Sequence, residues 1–109
     1  MVVNQFEVFY VDLNPTVGSE INKVRPCVIL SPDAINHHLD TVIIAPLTSS
    51  LRSWPTRIAV FVSGKNGQVC LDQLRAVDKK RLSAFTRTKI VLSSDEINRI
   101  KTGLSILFS

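Results

Sequence analysis

Cysteines are scarce in this chain, and their placement excludes two common kinds of site. Only Cys27 and Cys70 are present, each inside a strand-like apolar stretch. There is no CxxC pair, and no histidine stands at a metal-ligand spacing from either thiol, so the spacing predicts neither a disulfide framework nor a zinc site. We expect both thiols to be buried core residues, and we expect no metal or cofactor.

Targeting and membrane signals are also missing. A signal peptide has a basic region followed by an apolar stretch, and residues 1–5 do not show this pattern. No apolar run approaches the roughly 18 residues that a transmembrane helix needs. The sequence therefore predicts a cytoplasmic protein without a membrane partner.

What the chain does contain suits one small domain, residues 1–109. A domain of this size buries only a modest core. Because 45% of the residues are hydrophobic, association into oligomers would help to cover them. The net charge of +4 is compatible with a polyanionic partner, and it fits an ordinary solvated surface as well.

Short apolar segments between turn signals predict a mainly β domain. The expected strands cover residues 6–13, 26–30, 41–47, 57–62 and 69–71, with 89–92 as a sixth. The first has apolar residues on both faces, as in a small barrel or at a dimer interface. Asn66-Gly67 is a hairpin-turn signal, and residues 34–40 are expected to be irregular.

The end of the chain has the pattern of an amphipathic helix. Ser93 and Glu96 have the spacing of a capping box. Ile97, Ile100 and Leu104 follow at helical spacing and form one apolar stripe. The predicted fold is therefore mainly β with a C-terminal α-helix.

Four segments carry a resemblance to a known family. They are Tyr10 to Glu20 (YVDLNPTVGSE), Arg25-Pro26 with the strand after it, Ala45 to Ser49 (APLTS) and Leu71 to Lys79 (LDQLRAVDK). In this order, and with the closing helix, they resemble the PemK/MazF (Kid) family of bacterial toxin endoribonucleases. The chain departs from the family at Phe6-Glu7, where a Gly-Asp pair is usual, and at Tyr10, where tryptophan is usual. Some relatives carry an arginine before the Asp-Gln pair, where this chain has Cys70 and Leu71.

The resemblance implies an SH3-like small β-barrel, as in PemK, MazF and CcdB toxins, that forms a homodimer. It implies sequence-specific, metal-independent cleavage of single-stranded mRNA, which inhibits translation and growth. It also implies a cognate antitoxin whose disordered tail blocks the RNA groove.

Metal-free cleavage of RNA uses the neighbouring 2′-hydroxyl and needs a base, an acid and a group that stabilises charge on phosphorus. Arg25 is the candidate for the charge, because a guanidinium grips phosphate oxygens bidentately. Thr48 stands at a strand end and can donate its hydroxyl to the same phosphate. Glu20 is a candidate base, or it orients Arg25. From the residues alone, Arg25 could also be a surface arginine paired with Glu20, and Thr48 a strand-capping residue.

Candidate substrate-binding residues lie in the predicted loops: Asn22, Lys23, Ser49, Arg52, Trp54, Asp72 and Gln73. Asp72 and Gln73 can pair with the base edges of single strands, or they close a turn. Trp54 can stack on a base, or it covers part of the core. Lys23, Arg25, Arg52 and Arg57 can line a basic groove, which would make RNA binding sensitive to salt.

Three other functions compete with this interpretation. Adjacent His37 and His38 suggest a histidine ribonuclease, but neighbouring side chains of an extended segment point to opposite sides, so the two rings would not flank one phosphate. A non-enzymatic CcdB-like gyrase poison is the main alternative, although residues 105–109 lack the Trp-Gly-Ile ending of that class. The third is a binding module without chemistry, which Arg25→Ala would separate from an enzyme.

Overall fold

Six short strands precede one long helix. In this computed structural model, which describes residues 1–109, the strands are β1 (Val8–Asp12), β2 (Val24–Ile29), β3 (Thr41–Thr48), β4 (Arg57–Val62), β5 (Lys65–Cys70) and β6 (Arg75–Asp78). The helices are α1 (Asp33–Asn36) and α2 (Ser94–Leu107), and 3₁₀ turns at Leu71–Gln73 and Lys79–Arg81 flank β6. The predicted fold class is confirmed. No helix has the length and apolar character needed to cross a membrane.

β3 joins the parts of the sheet. All pairings are antiparallel in the order β1-β2-β3-β5-β4, and β6 also pairs with β3. Along β3, residues 41–44 pair with β6, residues 44–46 with β2, and residues 47–48 with β5. Because one strand changes partners along its length, the sheet is strongly curved.

Two apolar clusters lie on opposite faces of β1, β2 and β3. Val8 and Val28 belong to the cluster covered by α2, whereas Phe9 and Ile29 belong to the other. Successive strand residues point to opposite faces, so these central strands are buried on both sides. The prediction of a two-faced first strand is confirmed for its centre. It begins at Val8 rather than at residue 6, where Phe6 has a φ of 66°.

The hairpin between β4 and β5 turns earlier than predicted. The turn is Ser63-Gly64, with φ values of 51° and 75°, which suits a two-residue hairpin loop. Asn66-Gly67 lies within β5, and Gly67 faces Val60 on β4. A Cβ at Gly67 would lie 3.1 Å from the carbonyl oxygen of Thr48. This glycine therefore serves close strand contact, not the turn.

Two more elements differ from the prediction. Residues 89–92 form no strand. The sixth strand is β6, which was not predicted because only its Val77 is buried and its apolar pattern is therefore weak. Residues 34–40 include part of α1, which the prediction left irregular. This short helix is held by the buried Asn36, whose amide donates to the carbonyl of Ser31 at 2.7 Å.

Side chains of helix α2 also form hydrogen bonds with the free backbone groups on the outer edge of β4. The predicted capping box is confirmed: Ser93 Oγ accepts from Glu96 N at 3.1 Å, and Glu96 Oε1 accepts from Ser93 N at 2.8 Å. Glu96 Oε2 also accepts from the backbone N–H of Phe61 at 2.7 Å, and Arg99 donates to the carbonyl of Ala59 at 2.7 Å. These contacts satisfy edge groups that would otherwise be open to another strand.

We predict that Glu96 stabilises the fold in a pH-dependent way. Burial disfavours its charge, but the N–H groups of Ser93 and Phe61 outweigh this effect and hold the pKa of Glu96 below its ordinary value of 4.5. The stabilisation is therefore complete above that value and is lost as the pH falls through the folded-state pKa. Glu96→Ala should lower the free energy of unfolding by about 2 kcal/mol at neutral pH, measured by urea denaturation.

Asp95→Ala is the matched control. Asp95 is an exposed neighbour that pairs only with Arg99, at 3.0 Å, and such a pair contributes less than about 1 kcal/mol. Equal losses in the two variants, or a Glu96 effect that persists in acid, would contradict this role.

Candidate active site

Arg25 and Thr48 lie in one groove at the ends of β2 and β3. In the register of β2 and β3, Cys27 lies opposite Pro46. Arg25 and Thr48 lie two residues beyond this pair, each on its own strand, and both line the groove. The groove has a volume of about 380 Å³ and is also lined by Tyr10, Pro26, Leu47, Ser49, Val62, Ser63, Lys65, Asn66 and Ile90. The structure thus brings together two of the three predicted catalytic residues.

The guanidinium of Arg25 is only partly hydrogen-bonded within the protein. Its Nε donates to the carbonyl of Asn22 at 3.2 Å. Its terminal nitrogens form no hydrogen bond or ion pair, whereas each of the other six arginines donates at least one terminal N–H to an oxygen of the protein. Arg25 is therefore the arginine whose terminal N–H groups, called its open fork, are free to bind an anion.

The hydroxyl of Thr48 is oriented by the loop that follows it. Thr48 Oγ1 accepts from the backbone N–H of Ser50 at 3.1 Å. Because that bond uses an oxygen lone pair, the hydroxyl hydrogen is left to donate elsewhere. Arg25 and Thr48 thus each bring to the groove a donor that is not used within the protein.

The charge of the groove suits a polyanion. Arg25 and Lys65 line it, and no carboxylate does. Tyr10 also lines a second, adjoining depression whose other residues are mainly apolar. Cationic walls without acidic residues favour a phosphate backbone.

Glu20 lies outside this groove. Its Oε1 accepts from the backbone N–H of Val17 at 2.6 Å, so it closes a turn of its own loop. It lines a neighbouring cavity of about 310 Å³ with Asp72, Gln73 and Arg75. No ion pair joins Glu20 to Arg25, so the alternative of a mutual surface pair does not apply. The role of Glu20 as base stays a prediction.

Asn22 and Lys23 lie next to Arg25 through the backbone. Asn22 provides the carbonyl that receives Arg25 Nε. Lys23 has a φ of 67°, and its carbonyl accepts from Leu13 N at 3.0 Å. These contacts fix the loop before β2 and leave both side chains free of hydrogen bonds to the protein.

Asp72 is an exposed residue whose carboxylate is already bonded to other side chains. Its carboxylate accepts from Arg57 at 2.8 and 3.2 Å and from Thr56 Oγ1 at 3.1 Å. Burial alone would raise the pKa of Asp72, but the hydrogen bond from Arg57, with further help from Thr56, holds it below its ordinary value. Gln73 Oε1 accepts from Ile21 N at 3.2 Å, and Gln73 lines the neighbouring cavity.

The loop of residues 49–55 carries the remaining predicted residues. Ser49 lines the groove, whereas Trp54 lies over the guanidinium of Arg57 at 4.6 Å, in a depression beside α2. Arg52 is fixed through its backbone by Gln68. Gln68 was not predicted from the sequence. A glutamine next to Val69 in an apolar strand could have indicated a buried polar side chain with a structural or functional task.

Histidines and metal-ligand clusters contribute nothing to this groove. His37 contacts Asn4 at 3.1 Å, and neither histidine lines the groove. No group of three or more His, Cys, Asp or Glu side chains is placed to hold a metal ion.

Both cysteines are buried free thiols, as predicted. Burial raises the pKa of Cys27 to about 12 and that of Cys70 to about 11. Since the thiolate is the reactive form, neither is suited to act as a nucleophile.

We therefore predict that the native protein is inert to thiol reagents. At about pH 8, where a free cysteine is partly ionised, neither thiol should react with Ellman's reagent within minutes. After unfolding in guanidinium, both should react. Rapid labelling of the native protein would contradict the burial of these strands.

A family of toxins matches nearly the whole chain. The profile of the PemK-like, MazF-like toxin family of type II toxin–antitoxin systems matches residues 4–108. The chain belongs to this family. Endoribonuclease EndoA of Bacillus subtilis (strain 168) is 32% identical over 113 residues, which cover 97% of this chain and 94% of that protein.

Solved structures agree with the family assignment. MazF from Deinococcus radiodurans has a TM-score of 0.82 at 22% identity, covering 99% of this chain and 97% of that one. A mycobacterial endoribonuclease in complex with its cognate antitoxin has a TM-score of 0.78 at 25% identity, covering 95% and 92%. The resemblance inferred from the motifs is confirmed, and so is the fold.

Proposed function

We propose that this protein is the toxin of a type II toxin–antitoxin system and cleaves single-stranded mRNA as a sequence-specific, metal-independent endoribonuclease, acting in the cytoplasm to inhibit translation and growth. The observation that carries the proposal is the pairing of Arg25, with its open fork, and Thr48 in one cationic groove. The activity named for the Bacillus relative supports it. A CcdB-like gyrase poison would give these two residues no task.

The reaction follows from where the two donors stand. A phosphate in the groove receives hydrogen bonds from Arg25 and from the Thr48 hydroxyl, which stabilise the charge that builds on its oxygens. The adjacent 2′-oxygen loses its proton to a base and bonds to phosphorus. The bond from phosphorus to the 5′-oxygen breaks, and that oxygen takes up a proton. The products are a 2′,3′-cyclic phosphate and a 5′-hydroxyl.

Glu20 is the proposed base, and its approach requires a change in the loop that it now closes through Val17. Its alternative task is to contact substrate in the neighbouring cavity. Glu20→Gln distinguishes the two: loss of a base lowers kcat across the pH range, whereas loss of a contact raises KM.

The predicted substrate-binding residues are assigned to different parts of the RNA according to their side-chain chemistry. Lys23 and Arg52 are proposed to bind phosphates, and Asn22 and Ser49 to contact the nucleotides beside the scissile bond. Trp54 has one face on Arg57 and is half exposed, which suits stacking of a base outside the groove. For Asp72 and Gln73 we propose base recognition in the neighbouring cavity, with the Gln73 amide as donor.

Exposed apolar side chains beside the groove support a homodimer. Tyr10, Phe61 and Val91 are 47%, 65% and 87% exposed, and all three line the depression that adjoins the groove. A two-fold contact between copies would bury this face on both. A cognate antitoxin, such as the one bound to the mycobacterial relative, is the proposed second partner, with a disordered tail that competes with RNA for the groove.

We expect the purified protein to cut a long single-stranded RNA at one short motif in the presence of EDTA. Arg25→Ala and Thr48→Val should each lower the cleavage rate about 100-fold or more, because each removes a donor to the developing charge. Thr48→Ser, which keeps the hydroxyl, should retain most of the rate. The measurement is mapping of fragment ends together with single-turnover kinetics.

Lys80→Ala is the charge-matched control, because Lys80 is exposed and its side chain makes no hydrogen bond or ion pair. It should cleave at the wild-type rate. Full activity of Arg25→Ala, or cleavage by the wild type only when a divalent metal is added, would overturn the proposed chemistry. A folded protein that cleaves no RNA would favour the binding module instead.

We also predict a dimer at micromolar concentration that Val91→Glu converts to a monomer. The new carboxylate would be placed at an apolar contact without a partner, at a cost of several kcal/mol in association. Light scattering after size exclusion gives the mass. The matched control is Val17→Glu, a position 81% exposed that does not line this depression. A monomeric wild type would refute the dimer.

A further inference from the structure

Gln68 is a buried polar residue that the proposed chemistry does not use. Its side chain lies on β5 and is only 9% exposed. The amide oxygen accepts from the backbone N–H of Arg52 at 2.9 Å, and the amide nitrogen donates to the backbone carbonyl of Arg52 at 2.8 Å. One side chain thus satisfies both backbone groups of one loop residue, which is the pairing that a neighbouring strand would give.

This clamp sits next to Thr48. In the β3–β5 register, Gln68 is directly opposite Thr48, and Gly67 before it lies against the Thr48 carbonyl. The loop of residues 49–55 leaves β3 at Thr48 and turns back over β5 to reach Arg52. Gln68 therefore joins the base of the loop to its middle.

Few other hydrogen bonds hold the loop, although Trp54 also stacks on the guanidinium of Arg57. The Ser50 bond to Thr48 is local, and so is the bond from Arg57 N to the carbonyl of Trp54 at 3.0 Å. The two bonds to Gln68 are the only hydrogen bonds from residues 49–55 to β5. Because loops without such bonds open readily, removing the clamp should free the segment that orients the Thr48 hydroxyl.

We propose that Gln68 is a positioning residue: by clamping Arg52 it fixes the loop of residues 49–55 and thereby sets both the cleavage rate and the stringency of the RNA motif. The inference rests on the proposed function, since Thr48, Ser49 and Trp54 matter only if RNA binds there. Displacement of a catalytic donor by about 1 Å can cost about 100-fold in rate, so the position of the loop is sufficient to control the reaction.

The first test is Gln68→Met, which keeps the length of the side chain and removes both hydrogen bonds. We expect kcat to fall about 10-fold or more, and secondary cleavage motifs to appear because the loop that contacts the nucleotides is no longer fixed. Asn36→Leu is the matched control, because it removes another buried amide, bonded to Ser31, away from the groove. It should lower stability and leave kcat, KM and the motif unchanged.

The second readout does not need RNA. Trp54 is the only tryptophan of the chain and lies in this loop, so its fluorescence reports the loop directly. Gln68→Met should increase quenching by acrylamide and lower the anisotropy, whereas Asn36→Leu should change neither.

A third variant separates hydrogen bonding from packing. In Gln68→Glu the neutral carboxylic acid can accept from Arg52 N and donate to the Arg52 carbonyl, but the carboxylate can only accept. The ratio of variant to wild-type kcat should therefore rise as the pH is lowered from about 8 to about 5, since burial raises the pKa of a carboxyl. A residue that only fills space would give a flat ratio.

The outcomes keep the two proposals apart. If the wild type cleaves RNA, and Gln68→Met keeps its rate, its motif and its Trp54 quenching, the positioning role is wrong. If the wild type cleaves no RNA, the proposed function fails, and unchanged quenching in Gln68→Met would reject the clamp as well. If Gln68→Met does not fold, the pH dependence of Gln68→Glu decides.

Discussion

The change of partners along β3 is the constraint on which the rest of this structure depends. A strand that pairs with β6, then β2, then β5 must curve, and its last residue ends where β2 and β5 separate. Thr48 stands at that point, and Arg25 reaches it from β2 because the two strands are in register. The groove is thus the gap that a curved sheet leaves at its margin. Strand ends of this kind leave side chains exposed on a rigid support.

Polar side chains help to fix the loops around this gap. Arg75 and Arg81 hold the loop after β1 by donating to the carbonyls of Leu13 and Asp12 at 2.9 and 2.7 Å, and Gln68 holds the loop after β3. Long polar side chains suit this task because they reach backbone groups across several ångströms and satisfy them where no strand is adjacent. The loops can therefore present polar groups to a substrate without being buried themselves.

Patterns that reflect burial could be predicted from the sequence, and patterns that reflect long-range polar contacts could not. β1 and α2 were identified because burial imposes periods of two and 3.6 residues, and the capping box because it is local. β6 was missed because only Val77 is buried. Asn66-Gly67 gave a false turn because its glycine serves contact with Thr48, a long-range requirement. In the site, Arg25 and Thr48 were found by resemblance, whereas the clamp by Gln68 depends on a register that no local pattern reveals.

The free terminal N–H groups of Arg25 support the proposal that the groove binds an anion. Other guanidinium groups of this fold have partners within the protein: Arg57 is paired with Asp72, and Arg99 with Asp95 and the Ala59 carbonyl. Arg25 is half-buried at the end of β2, and only its Nε is bonded. Its terminal N–H groups are open to solvent and free to bind an anion from outside the chain. Because the Thr48 hydroxyl lines the same groove, the anion that we propose for this position is a phosphate.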